Sequence, residues 1–134
     1  YGEVYSALQT GVIDAAENNY PSFYSSNHYQ VAKYYLIDNH QRTPEVLLMS
    51  NAIWTKLSAE DQKIVKQAAL DSSVYQREVW SKYQKESEDK LRAAGVTIVN
   101  VAEIKPWQDA VKPMLESYRT EYKEVLDAID KLRK

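Results

Sequence analysis

Apolar and polar positions alternate in blocks along this chain, and each block predicts an element. Val4, Ala7 and Leu8 fall at helical spacing within residues 3–10, and Gly11 stands where a helix can stop on a left-handed residue. Val12 and Ile13 form a short apolar pair that predicts a buried strand. Asn18, Asn19, Tyr20, Pro21 and Ser22 are a loop signal, with Pro21 near the start of a helix expected over residues 22–32. Tyr34, Tyr35, Leu36 and Ile37 read as a strand, and residues 38–44 as a polar loop. Residues 45–50 are apolar through their middle and predict a strand buried on both faces. Asn51 is placed to cap a short helix carrying Ala52, Ile53 and Trp54.

Ser58 followed by Asp61 fits a capping box, with the hydroxyl aimed at the Asp61 amide. The helix it opens is expected to run to Ala94, with Gly95 as its stop, a length of roughly 55 Å. That exceeds the diameter of a small domain, so the helix should bridge two bodies or contain a break. Ile64, Val65, Ala68, Ala69, Tyr75 and Val79 mark its apolar stripe, while residues 82–90 are largely charged and expected to be solvated. Val96, Thr97, Ile98 and Val99 alternate like a strand. Residues 103–132 are helical again, interrupted by Pro106 and Pro113. Strands alternating with helices give an α/β class in which helix dominates. The strands are few and short for a whole domain, which suggests an incomplete chain.

Composition narrows the chemistry. At 134 residues the chain is long enough for a real core. Seventeen basic residues against nineteen acidic ones give no electrostatic reason to expect nucleic acid or an anionic membrane as partner. There is no cysteine, hence no disulfide. His28 and His40, the two histidines, show no metal-ligand spacing with Asp or Glu, so no metal is expected. Three glycines cannot make a phosphate-cradling loop, and no nucleophile arrangement is visible. Asp14 and Glu17 could form a carboxylate pair, but nothing fixes their separation, and a cap or salt bridge is the simpler reading. Catalysis and cofactors are therefore not expected. Eleven tyrosines against one phenylalanine suit half-wet clefts, or equally an exposed helix surface. Asn18 carries two donors and an acceptor, so it can orient a carboxylate or hydroxyl without burying charge. The alternative is a turn asparagine bonding its own backbone.

One resemblance sharpens this reading. Glu3-Val4-Tyr5, Ala7-Leu8-Gln9-Thr10-Gly11-Val12, then Asp14 and Glu17-Asn18, resemble the E-V-Y, A-L-Q-x-G and D-G-x-E-N pattern of TRAP-transporter substrate-binding proteins, the DctP family. Val31-Ala32-Lys33-Tyr34, Asn39-His40, residues 44–50, Trp54, Leu57-Ser58, Asp61-Gln62 and Ala68-Ala69 follow in the family's order. Ala15 and Asn19 depart from a usual glycine and a common proline. The resemblance implies a periplasmic receptor whose two α/β lobes close on a small organic acid and deliver it to a TRAP membrane permease. Residues 1–134 would then be the C-terminal portion, contributing to both lobes, with the N-terminal portion absent and the long helix spanning both. Carried over by position, Asn18 bonds the substrate carboxylate and Tyr1 packs on the ligand. Asn39, His40 and Gln41 lie where the chain faces the cleft, and Glu17 orients loops around it.

The family's carboxylate-pairing arginine lies upstream of this segment and no residue here matches it. The chain alone is therefore expected to bind weakly, and to associate or exchange domains through uncovered apolar surface. The polar loop 38–45 favours a hydroxylated sugar acid such as a uronate over a C4-dicarboxylate or sialic acid. The alternative is a non-catalytic helical interaction module that has lost ligand binding.

Overall fold

In a computed structural model the structure describes residues 1–132; Arg133 and Lys134, the end of the expected 1–134 span, lie outside the described residues. The chain forms two compact units, Tyr1–Val99 and Asn100–Lys134. The first carries α1 (Val4–Thr10), α2 (Tyr20–Ser25), β1 (Tyr34–Ile37), α3 (Asn51–Trp54), α4 (Ala59–Ala93) and most of β2 (Thr97–Asn100). The second carries α5 (Lys105–Tyr118) and α6 (Lys123–Leu132).

Two helices end in the same way. Gly11 and Gly95 adopt φ of 72° and 79°, a region that a side chain resists. In each case the residue after the glycine bonds back to a carbonyl five positions earlier, Val12 to Ala7 at 2.9 Å and Val96 to Leu91 at 3.0 Å. A second bond, spanning three residues, runs from each glycine, Gly11 to Leu8 and Gly95 to Arg92. This is the Schellman arrangement, which satisfies carbonyls that a helix end would otherwise leave unpaired. At Gly95 it has its hydrophobic partner contact too, because Leu91 and Val96 are both buried in the core.

The start of α4 is equally local in origin. Ser58 Oγ accepts from the Asp61 amide at 3.1 Å and donates to the Asp61 carboxylate at 2.6 Å. Glu60 and Asp61 occupy the first turn, and Lys90 and Arg92 the last, so the charges complement the helix dipole. The 35 helical residues run without a break for roughly 52 Å.

The core of the first unit is small. Phe23 of α2, Leu91 of α4 and Val96 before β2 are buried, with Tyr20, Tyr24, Tyr29, Ala32, Tyr35 and Ile98 packed around them. Tyrosine thus supplies much of the core rim. The Tyr20 and Tyr35 rings lie 4.6 Å apart and Phe23 and Tyr35 5.3 Å apart, within the range of favourable ring contacts. Tyr24 stacks on Tyr29 at 5.4 Å, with the Lys90 ammonium 5.2 Å from the centre of the Tyr24 ring. β1 and β2 form a two-stranded sheet. The amide of Thr97, the first residue of β2, bonds the carbonyl of Lys33, just before β1, at 2.9 Å. Both strands run on from that bond, so the pair is parallel, with α4 in the connection between them.

Several sequence expectations change. Residues 12–13 are not a strand; Val12 is exposed, and the β1–β2 sheet offers this segment no ladder. Residues 22–32 are not one helix. Asn27 adopts φ of 59°, which ends α2 and leads into a single 3-10 turn, His28–Gln30. Residues 45–50 are irregular rather than a buried strand, with Leu48 82% exposed, because no neighbouring strand takes their backbone groups. Ser50, not Asn51, is the cap position of α3, and it makes no side-chain cap bond. The apolar stripe of α4 lies exposed at Ile64, Tyr75 and Val79, whereas Ser87, inside the charged stretch, is buried close to Leu91. Packing against α2 decides burial there, not local polarity.

In the second unit, contrary to expectation, neither proline interrupts a helix: Pro106 sits in the first turn of α5, and Pro113 lies within it. Pro113 forfeits one bond, to the Asp109 carbonyl, and the flanking turns carry the helix through. The break falls after Tyr118. There Arg119 pairs with Glu116, Asp127 and Asp130, tying the end of α5 to α6.

Candidate functional site

The loop between α1 and α2 places Asn18, and three contacts hold it. Its Oδ1 accepts from the Asn19 amide at 3.0 Å. Its Nδ2 donates to Tyr1 Oη at 2.9 Å. Its backbone carbonyl accepts from Tyr35 Oη at 2.5 Å. The turn reading of Asn18 therefore describes the carboxamide oxygen, which serves the local backbone, while the nitrogen reaches across the chain to Tyr1. Next along, Asn19 caps α2, its Oδ1 accepting from the Ser22 amide at 2.9 Å.

Tyr35 comes from β1, whose alternation turns Tyr35 and Ile37 inward and leaves Tyr34 and Leu36 exposed. Burial, with smaller contributions from Tyr20, Asp38 and Glu17, pushes its phenol up to about 12. It therefore keeps its proton at ordinary pH and can donate to the Asn18 carbonyl. Tyr1 is 74% exposed. Its hydroxyl also lies 2.8 Å from Ser26 Oγ, and its ring sits 5.7 Å from that of buried His28.

His40 follows Asn39, which adopts φ of 50°. The turn brings His40 Nδ1 to 2.8 Å from Asp38 Oδ1, while Nε2 lies 3.6 Å from Glu17. The imidazole thus bridges the loop after β1 to the residue beside Asn18. The Asp38 hydrogen bond raises the His40 pKa, with the charges of Asp38 and Glu17 adding to it and partial burial opposing it. The same bond holds the Asp38 carboxyl below its ordinary value. Gln41 turns to Thr43 in its own loop.

The structure thus brings Asn18 and Tyr1 into direct contact and joins His40 to the residue next to Asn18. It does not bring Gln41 to them. Ser26 and Tyr35 were not among the expected site residues. Tyr35 was visible only as a strand position, and no signal marked Ser26. Among the described residues no group of three or more His, Cys, Asp or Glu could hold a metal ion, and no helix is long and apolar enough to cross a membrane.

A pH dependence follows from the His40–Asp38 pair. A raised histidine pKa means that the stabilising contribution is complete below 6.5 and fades as pH climbs through the higher native value. A lowered carboxyl pKa means that the contribution of Asp38 is present above 3.8 and is lost as pH falls through the lower native value. The pair is therefore fully formed between 3.8 and 6.5. Both groups are well solvated, so the energy is small. The His40 ring resonances should titrate above 6.5 and move back towards that value in Asp38→Asn. A midpoint indifferent to Asp38→Asn would refute the pairing.

Comparison with known proteins places these features. Residues 1–121 match the family described as bacterial extracellular solute-binding protein, family 7. A solute-binding protein of Chromohalobacter salexigens is 42% identical over 125 residues, covering 93% of this chain and 37% of its own length. The chain therefore spans well under half of that relative. A TRAP periplasmic solute-binding protein from Chromohalobacter salexigens, solved with bound D-glucuronate, matches with a TM-score of 0.90 and 40% identity. That match covers 98% of this chain and 44% of the other. A TRAP periplasmic solute-binding protein from a Bradyrhizobium species, solved with galacturonate, is 48% identical with a TM-score of 0.78, covering 90% and 39%.

Proposed function

This chain belongs to the bacterial extracellular solute-binding protein family 7, and on that premise we propose that it forms part of a two-lobed periplasmic receptor for uronates. The observation that carries this reading is the match, along nearly the whole chain, to receptors solved with glucuronate and galacturonate. In this reading residues 1–134 contribute to both lobes, α4 spans them, and the remaining structure supplies the rest of the cleft. The receptor captures its ligand by lobe closure and hands it to the TRAP membrane permease. It binds and releases its solute without transforming it.

The residues take distinct parts. Asn18 donates from Nδ2 to the ligand carboxylate, a charge-assisted bond that needs no buried countercharge on this wall. The exposed Tyr1 ring packs on the sugar. Asn39, His40 and Gln41 offer donors and acceptors to ring hydroxyls, and Glu17 and Asp38 hold the His40 imidazole in place. Such a wall favours a hydroxylated acid, because a plain alkyl diacid would leave these polar groups desolvated and unpaired.

Calorimetric titration of the receptor tests the assignment. D-glucuronate and D-galacturonate should bind at least about tenfold more tightly than succinate. Tighter binding of succinate would sink the uronate assignment, and no heat with any organic acid would sink the receptor reading.

A further inference from the structure

The donor count around Asn18 leaves little freedom. A carboxamide has two N–H donors and one oxygen acceptor. The oxygen is occupied by the Asn19 amide at 3.0 Å, and one N–H is occupied by Tyr1 Oη at 2.9 Å. One N–H remains. If the carboxamide turned over, its oxygen would point where that N–H now points, and would repel a ligand carboxylate. The Asn19 amide opposes this from one side, because a backbone N–H can meet only the oxygen; on the other side a tyrosine hydroxyl alone does not, since it can accept from nitrogen or donate to oxygen. Ser26 Oγ, 2.8 Å from Tyr1 Oη, is placed to take the Tyr1 proton, and either hydroxyl can be the donor in that contact. When the Tyr1 proton is given to Ser26 Oγ, Tyr1 faces Asn18 as an acceptor only, and only the nitrogen can meet it.

We propose that the Tyr1–Ser26 hydroxyl pair is a positioning device that fixes the carboxamide of Asn18 with its free N–H towards the ligand. Ser26 acts without touching the ligand, and Tyr1 acts through its hydroxyl as well as through its ring. The two residues are 25 positions apart in sequence, one before α1 and one at the end of α2. The device therefore also reports whether those elements are correctly docked. This inference rests on the uronate-receptor reading above and specifies how one contact of that site is oriented.

The test has two arms in the receptor. In the first, glucuronate affinity is measured for Tyr1→Phe, Ser26→Ala and Ser26→Thr, each also in an Asn18→Ala background. Tyr1→Phe should weaken binding about tenfold and Ser26→Ala about threefold, the scale of one hydrogen bond and of a partial one. Ser26→Thr should bind like the parent. Both losses should vanish when Asn18 is alanine, which a merely structural role would not produce. In the second arm, without ligand, the two side-chain amide protons of Asn18 are followed by NMR. They should resonate well apart in the parent and draw together in Tyr1→Phe. Losses that persist in the Asn18→Ala background, or an Asn18 amide pair unmoved by Tyr1→Phe, would overturn the device. Absent uronate binding with the amide response intact would instead fault the choice of ligand and leave the positioning in place.

Discussion

Asn18→Asp should reduce uronate affinity by at least about a hundredfold while leaving the receptor folded. The substitution keeps the size and shape of the side chain and its acceptor for the Asn19 amide. It removes the Nδ2 donor that reaches Tyr1 and puts a carboxylate where the proposed contact would set the ligand's own carboxylate. A lost charge-assisted hydrogen bond is worth about 1.5–3 kcal/mol, and like-charge repulsion in a closed cleft adds to it. Calorimetry gives the affinity, and thermal unfolding separates a binding defect from a folding one. A dissociation constant within about threefold of the parent would remove Asn18 from the site.

Leu91→Ala should destabilise the first unit by about 2–5 kcal/mol, the range for truncating a fully buried leucine. Leu91 is completely buried and meets both Phe23 of α2 and Val96 at the head of β2. Truncation therefore loosens a helix contact and a helix stop together. Val79→Ala, on the exposed stripe of the same helix, should change the stability of the chain by no more than about 0.5 kcal/mol. Urea midpoints of the two variants provide the comparison. A loss below about 1 kcal/mol for Leu91→Ala would mean that the small core does not hold α4 in place.

The contrast between those two positions marks what the sequence could reveal. Caps and stops are local chemistry. Ser58 with Asp61, Gly11 and Gly95 could be placed from neighbouring residues alone, and α1, α4 and their ends follow from them. β1 announced itself as a short run of apolar and aromatic residues and β2 by alternation. Strands without a partner did not form, because a ladder needs a second chain segment that periodicity cannot supply; residues 12–13 and 45–50 are the examples. Burial along α4 was also beyond the pattern. The stripe from Ile64 to Val79 is more apolar than the turn around Ser87 and Leu91, yet the latter faces α2.

The site divides along the same line. Asn18, Tyr1, Asn39, His40 and Gln41 came from resemblance in short motifs. The groups that orient Asn18 are contacts across 17 to 25 residues, which no local rule exposes. Tyr35 grips a backbone carbonyl, and any sequence with a tyrosine in that strand would look the same.

The Leu91–Val96 lock at Gly95 makes α4 a lever with a fixed fulcrum. Rotation by 5° about that end carries Ala59 through about 4–5 Å, since the arm is roughly 52 Å long. The fulcrum is fastened to β2, β2 is hydrogen-bonded beside Lys33, and two residues later Tyr35 clasps the carbonyl of Asn18. A run of hydrogen bonds thus links the C-terminal end of α4 to the backbone of Asn18.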